Sequence, residues 1–311
     1  MPPDDASPAE VVALLELRNA ARDQADWARA DALREEIAAL GWEVQDGSGR
    51  TTVRAALPPE AVATGYADPN DLASLIDEQA GVAASIQLVA DDHPDDLQRM
   101  LTGLREHLPA TEHELIVVAN APTFDLDAML GEGPESIILR TSQRLGWADS
   151  RNLGLRRSRG AITVLLDTSL EPSGDFLTPL LHAFDDPMVG IAGGWGVRSG
   201  DGREFQDATP GEVDAVEGYC LAVRRDALRQ VPAFDRRFRF YRNADLDFSF
   251  ALRDAGWRAV RTETLPFVRH EHRGYTSLPD AERDRLSRRN FYRFLDHWGD
   301  RRDLLLDPMS R

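Results

Sequence analysis

Two helical stripes open the chain. Val11, Leu14, Leu15 and Leu17 recur at helical spacing, and so do Trp27, Ala30, Leu33, Ile37 and Leu40. Gly41 ends the second stripe, as a glycine after a helix does. Beyond it, WEVQDGSGRTTVR sets two short alternating runs around Asp46-Gly47-Ser48-Gly49, the pattern of a β-hairpin. Residues 57–84 hold Pro58, Pro59, Gly65 and Pro69 with few apolar anchors and read as a linker, with a short helix around Leu72–Glu78. From residue 85 apolar strands alternate with helical patterns. The strands are Ile86–Ala90, Leu115–Ala119, Ile137–Leu139, Ile162–Leu166 and Val189–Ala192; the helices between them are Asp95–His107, Ser150–Arg157 and Phe176–Phe184. LIVVA at 115–119 has no polar alternation, which fits a parallel strand covered on both faces. A last helix, DAERDRLSRRNFYRFLDHWG, carries Leu286, Phe291, Phe294 and Leu295 on one side, and Ser277 with Asp280 suggests a capping box at its start.

This order predicts an α/β class. A domain with a Rossmann-like, mainly parallel sheet spans 85–311, and a small helical-hairpin plus β-hairpin domain spans 1–56. Ligands in open sheets of this kind sit outside the C-terminal strand ends, here Asp91-Asp92, Asn120-Ala121-Pro122 and Asp167-Thr168-Ser169.

Composition narrows the class. Hydrophobic residues make up 42% and charged residues 29%, enough for a packed core. No stretch approaches the ~20 apolar residues of a membrane span, so no transmembrane segment is expected. MPPDDASPAE lacks the basic start and apolar run of a secretory signal, and a cytoplasmic location is the expectation. The one cysteine, Cys220, excludes an internal disulfide and reads as a buried thiol. Net charge is −17, and all 36 basic residues are arginine. That balance argues against a broad surface for nucleic acid, while a local arginine pocket for a diphosphate stays open.

Several residues bear candidate chemistry. Asp167 ends an apolar strand in VLLDTS; it reads as a ligand for a hard divalent cation or as a turn aspartate. His270 and His272, two apart after a strand-like run, would share a face and reach one ion, or be surface histidines. Asp245 lies near the start of the helical run DLDFSFALRDAG, as a general base or as a cap. Arg151 is the arginine best placed for phosphate.

LGWADSRNLGLRRSRGAITVLLDTSLEP, VGIAGGWGV, VEGYCLAVRRDAL and FDRRFRFYRNADLDFSFALRDAGWRAV, followed by VRHEH and FLDHWG, resemble family 2 glycosyltransferases of the GT-A fold over roughly residues 84–300. The resemblance implies a nucleotide-sugar donor held by Asp91, Asn120, Arg151 and Asp167. It implies an unknown acceptor near Trp195, Glu217, Gly218 and Asp247, with Asp245 as base of an inverting hexosyl or related transfer. It implies magnesium or manganese at Asp167 with His270 and His272. The sequence departs from the pattern at Ser169, where the family has the second aspartate of its DxD motif, at Ala119 and at Ala244. An alternative reading is therefore a catalytically degenerate domain that binds or scaffolds. ARDQADWARADALREEIAALGWEVQDGSGRTTVR resembles the small C-terminal subdomain of cysteinyl-tRNA synthetases; its acidic balance argues against a nucleic-acid partner, and it reads as a protein-docking or self-associating module or equally as a structural appendage.

Overall fold

The structure is a computed structural model, and it describes residues 9–24, 26–40, 42–46, 51–55, 65–130 and 136–308. The chain forms two compact units, 1–63 and 64–311. In the smaller unit, helices α1 (Ala9–Asp23) and α2 (Trp27–Ala39) pack together, and strands β1 (Trp42–Asp46) and β2 (Thr51–Ala55) pair antiparallel. Asp26 caps α2 by accepting from the Arg29 N–H. Val11, Ile37 and Val44 form the small core. Gly41 and the hairpin turn at 47–50 lie outside the described residues.

The larger unit is built on eight strands. In chain order these are β3 (Val82–Ala90), β4 (His113–Ala119), β5 (Ser136–Arg140), β6 (Gly160–Leu166), β8 (Val189–Gly193), β11 (Gly211–Glu212), β13 (Cys220–Arg224) and β14 (Arg258–Arg261). Their order across the sheet is β11-β14-β8-β13-β6-β3-β4-β5. Strands β6, β3, β4 and β5 run parallel, whereas β13 runs antiparallel between β6 and β8. Short strands flank the sheet: β7 (Leu170–Pro172) pairs with β15 (Phe267–Arg269), and β9 (Gly196–Arg198) pairs with β10 (Gln206–Asp207) and β12 (Ala215–Val216). The helices are α3 (Pro94–His107), α4 (Leu126–Leu130), α5 (Trp147–Arg157), α6 (Leu177–His182), α7 (Arg225–Leu228), α8 (Ala244–Asp254), α9 (Arg273–Thr276) and α10 (Asp280–Trp298). Residues 115–119 of β4 are buried, as their unbroken apolar run requires, and Glu114 before them is buried against the Ser85 hydroxyl and the Arg159 N–H. Leu115 and Val117 face the core shared with α3 and α6, while Ile116 and Val118 face Leu153 of α5.

Three expectations are corrected. Residues 65–81 are not a free linker. Tyr66 bridges Thr141, the Leu75 N–H donates to the Arg156 carbonyl at 2.7 Å, and buried Arg225 donates to the carbonyls of Leu75 and Ile76. The short helix is a single 3-10 turn at Pro69–Asp71, not 72–78, because Asp68 and Asp71 form a reciprocal cap there. At the start of α10 the cap position is Pro279, and Ser277 instead closes α9, so no capping box forms.

Candidate active site

Parallel strands β6, β3 and β4 end side by side, and the next residues are Asp167, Asp91 and Asn120. Pairing alone therefore gathers three polar side chains at one crevice. With Arg144, Arg151 and His272 they line a cavity of about 200 Å³. Asn120 is fixed from both ends of its amide. Its Nδ2 donates to Asp91 Oδ1 (3.0 Å) and to the Leu145 carbonyl (3.2 Å), and its Oδ1 accepts from the Leu145 N–H (2.8 Å). Burial pushes Asp91 above the usual carboxylate range despite nearby Arg144. Arg144 itself pairs with Asp92.

Arg151 lies beneath the crevice on α5, 3% exposed. It donates to the Leu166 carbonyl at 2.9 Å and to the Gln87 carbonyl at 3.5 Å, while its Nε has no partner. Its charge thus lies under the strand ends, facing Asp167 and Asp91.

Asp167 has three partners in the crevice. Its Oδ1 accepts from the Ser169 N–H (2.9 Å) and hydroxyl (2.5 Å), and its Oδ2 lies 3.2 Å from His272 Nε2. Burial alone would raise its pKa; the His272 hydrogen bond and charge, with the two Ser169 hydrogen bonds, hold it well below the usual range. Desolvation opposes the charged form of His272 as well, and Asp167 outweighs it, so the imidazole is raised. The ring stacks on Tyr241 at 4.5 Å, and its Nδ1 is buried without a partner.

One short loop joins this crevice to the acceptor-side candidates. The Asp167 N–H donates to the Tyr219 carbonyl at 2.9 Å. The Gly218 N–H donates to Asp245 Oδ2 at 2.8 Å, and the Glu217 N–H donates to the Trp195 carbonyl at 3.0 Å. Asn243, at φ 65, turns the chain into α8 and so sets Asp245 at the first turn. Burial raises the Asp245 pKa. Burial, then the charges of Asp245 and Asp207, push Glu217 up to about 7. Trp195 meets Tyr219 edge-on at 5.9 Å, and Arg269 lies 3.9 Å over the Tyr219 ring.

Two candidates stand apart. Asp247, two residues past Asp245, is turned about 200° around α8. Its Oδ1 accepts from His297 (2.8 Å) and Trp298 (2.9 Å), away from the Gly218 loop. Among the described residues, Asp235, Asp247 and His297 form a group able to hold an ion, but Arg237 already pairs with Asp235 and contacts His297. His270 does not share a strand face with His272. Strand β15 stops at Arg269, and His270 Nε2 instead meets Glu171 Oε2 at 2.6 Å. Cys220 is buried, its thiol pushed up to about 12 by desolvation. Sequence reasoning passed over Tyr219 and Tyr241; their adjacency to Gly218 and to the Asp245 helix is the signal that could have found them.

The model of glycosyl transferase family 2 matches residues 89–263, more than half of the chain. The chain belongs to this family. Residues 4–54 match the cysteinyl-tRNA ligase anticodon binding domain. The cysteine–tRNA ligase of Histophilus somni (strain 129Pt) is 49% identical over 51 residues, 16% of this chain and 11% of that protein. That of Pseudomonas syringae pv. tomato is 50% identical over 46 residues, 15% and 10% respectively. The chain thus spans about a tenth of the curated relatives it matches. Among solved structures, GalNAc-T7 with UDP, GalNAc and Mn2+ aligns with a TM-score of 0.54 at 14% identity, over 80% of this chain and 58% of that one. The mannosyltransferase PcManGT from Pyrobaculum calidifontis, in complex with GDP-Man and Mn2+, aligns at 0.51 and 17% identity, over 70% and 64%. These likenesses show that the larger unit has the GT-A fold. Among the described residues no helix is long and apolar enough to cross a membrane.

Proposed function

We propose that the larger unit is an inverting glycosyltransferase that takes its sugar from a nucleotide-sugar. The observation that carries this reading is the loop 217–219. It ties the donor-side acid Asp167 to the acid Asp245 through consecutive residues, fixing both on one scaffold. The nucleoside diphosphate would lie in the crevice of Asp91, Asn120 and Asp167, above the Arg151 charge. Trp195, Glu217 and Gly218 would flank the acceptor. Asp245, made more basic by burial, takes the proton from the acceptor hydroxyl. The acceptor oxygen then bonds to the anomeric carbon from the side opposite the leaving diphosphate, whose bond to that carbon breaks, and the configuration inverts. Asp247 and His270, partnered elsewhere, have no step in this mechanism.

Asp167 and His272 fit a divalent cation. They offer an anionic oxygen and an imidazole nitrogen 3.2 Å apart, beside an imidazole atom that has no other partner. When bound, magnesium or manganese supplies positive charge for the diphosphate. Ser169, in place of an acid, spends its hydroxyl on Asp167. This favours, as a second reading, a domain that binds nucleotide without turning it over. The smaller unit, with Trp27 59% and Leu17 54% exposed, is proposed to dock a protein partner or a second copy.

Release of nucleoside diphosphate from a panel of nucleotide-sugars separates the readings. Asp245→Asn should lower kcat about 10²–10⁴-fold with nucleotide affinity kept. Binding without turnover in the wild type favours the second reading, and turnover untouched by Asp245→Asn removes Asp245 as base.

A further inference from the structure

Most arginines of the larger unit are engaged by acids or carbonyls; Arg144, Arg236, Arg258 and Arg301 each pair with aspartate. Arg239, Arg242, Arg288 and Arg289 are different. Among the described residues their guanidinium groups make no hydrogen bond and no ion pair, and Arg242 lies 5.7 Å over the Tyr275 ring. They belong to two segments that the structure fastens together. Asn290 Nδ2 on α10 donates to the carbonyls of Phe240 (2.6 Å) and Arg242 (2.9 Å), and Arg293 donates to the Arg237 carbonyl. Helix α10 is thereby buttoned to the loop 237–242.

The charges converge. Arg289 is repelled by Arg293, Arg285 and Arg239, with Glu282 as the opposing acid, and its Nε is buried without a partner. Arg288 and Arg289 share a hollow of about 480 Å³ on α10 with Asp284, with Arg285, which pairs with Glu282, and with Tyr292, which is 58% exposed. At the other end the patch reaches the reaction site. Arg239 lines the donor crevice, and the charge of Arg242 is felt by Asp245 and Glu217. A row of like charges is costly unless an anion joins it, and this one stands on a chain of net charge −17. Guanidinium forks match the oxygens of a phosphate group in geometry as well as charge.

We propose that Arg288 and Arg289 bind a phosphate group of the acceptor, with Arg239 and Arg242 continuing the positive charge toward the reaction site, so that the acceptor is a phosphate-bearing molecule. This rests on the transferase reading for the word acceptor, but the binding itself does not. Two sources present this chemistry: a free phosphorylated molecule, and a phosphate headgroup at a bilayer.

The test uses the full chain and two probes that are neither donor nor acceptor. Inorganic phosphate is followed by phosphorus NMR. Vesicles of phosphatidylcholine with or without phosphatidic acid are followed by co-sedimentation. Each is measured for the wild type, for Arg288→Glu with Arg289→Glu, and for Arg288→Gln with Arg289→Gln, with circular dichroism confirming that the variants fold. The donor crevice is intact in both variants, so the difference from wild type reads the α10 site. We expect at least one probe to bind and both variants to weaken it about tenfold or more, the glutamates further than the glutamines. Binding of free phosphate identifies a soluble source, and binding of phosphatidic acid vesicles alone identifies a bilayer. Binding of neither probe, or binding equal in wild type and variants, overturns the proposal. No arm involves turnover, so loss of this site leaves the transferase reading standing, and an inactive transferase leaves phosphate binding measurable.

Discussion

Replacing His272 with alanine removes a set of contacts whose size can be worked out. The first is the hydrogen bond to Asp167 at 3.2 Å. Hydrogen bonds to charged groups contribute about 1.5–3 kcal/mol, and the length and partial exposure of this one (19% and 18% for the two side chains) place it at the lower end. The second is the stack on Tyr241 at 4.5 Å and 21°, and the third the edge contact with Tyr219 at 6.3 Å. Aromatic pairs add about 0.5–1.5 kcal/mol each, the distant one least. His272→Ala should therefore cost about 2–4 kcal/mol near pH 6, lowering the Tm by about 5–15 °C for a unit of this size. The loss depends on pH. Asp167 is depressed in the folded state, so its contribution is present above its ordinary value of 3.8 and lost as pH falls through the lower folded value. His272 is raised, so its contribution is complete below 6.5 and lost as pH rises through the higher folded value. The gap between wild type and variant should be widest from about pH 4 to 6.5 and narrow as pH rises through the raised folded value of His272. Thermal unfolding by near-ultraviolet circular dichroism, in chelator, reads this gap. A gap below about 0.5 kcal/mol near pH 6, or one that does not narrow at alkaline pH, would refute the Asp167–His272 pairing.

Other perturbations follow from the same geometry. Gly154→Ala would put a Cβ 1.6 Å from Gln87 Nε2, which donates to the Arg151 carbonyl at 2.8 Å; urea unfolding should show a loss of about 1–3 kcal/mol, and an unchanged midpoint would contradict this packing. Glu217, raised to about 7, destabilises the fold once ionised, so Glu217→Gln should stabilise by about 1–2 kcal/mol near pH 8, after discounting for its partial exposure, and be neutral near pH 4. Equal stabilities at both pH values would show that Glu217 is not desolvated. Asp247→Ala leaves the His297 and Trp298 donors unpaired and should cost about 2–4 kcal/mol while nucleoside diphosphate affinity stays the same; a lost affinity with intact stability would return Asp247 to the site.

Much of the larger unit was legible because its strands are short apolar runs buried on both faces, and runs such as 115–119 and 162–166 mark themselves. Strand direction was not. β13 is as apolar as its neighbours, yet it runs antiparallel between β6 and β8, a property of long-range connections rather than of period. Residues 65–81 looked like a linker because their apolar anchors, Tyr66, Leu72 and Ile76, are few and scattered, and carbonyls that accept from Arg156 and Arg225 hold the rest. In the site, strand-end positions were readable: Asp91, Asn120 and Asp167 meet because β3, β4 and β6 are parallel. The histidine pair was not, since β15 ends one residue before His270 and the two rings diverge. Asp245 and Asp247 sit too close in sequence to be told apart until the helix assigns them different sides.

A working donor crevice at the ends of β3, β4 and β6 underlies the proposed transferase. Its most direct test is calorimetric titration of the full chain with a panel of nucleoside diphosphates, with and without Mn2+, for wild type and Asp167→Ala. One nucleotide should bind the wild type, Mn2+ should tighten it, and Asp167→Ala should weaken it about tenfold or more while the variant remains folded. Absence of binding by every nucleotide, or equal binding by the wild type and a folded Asp167→Ala, would contradict this.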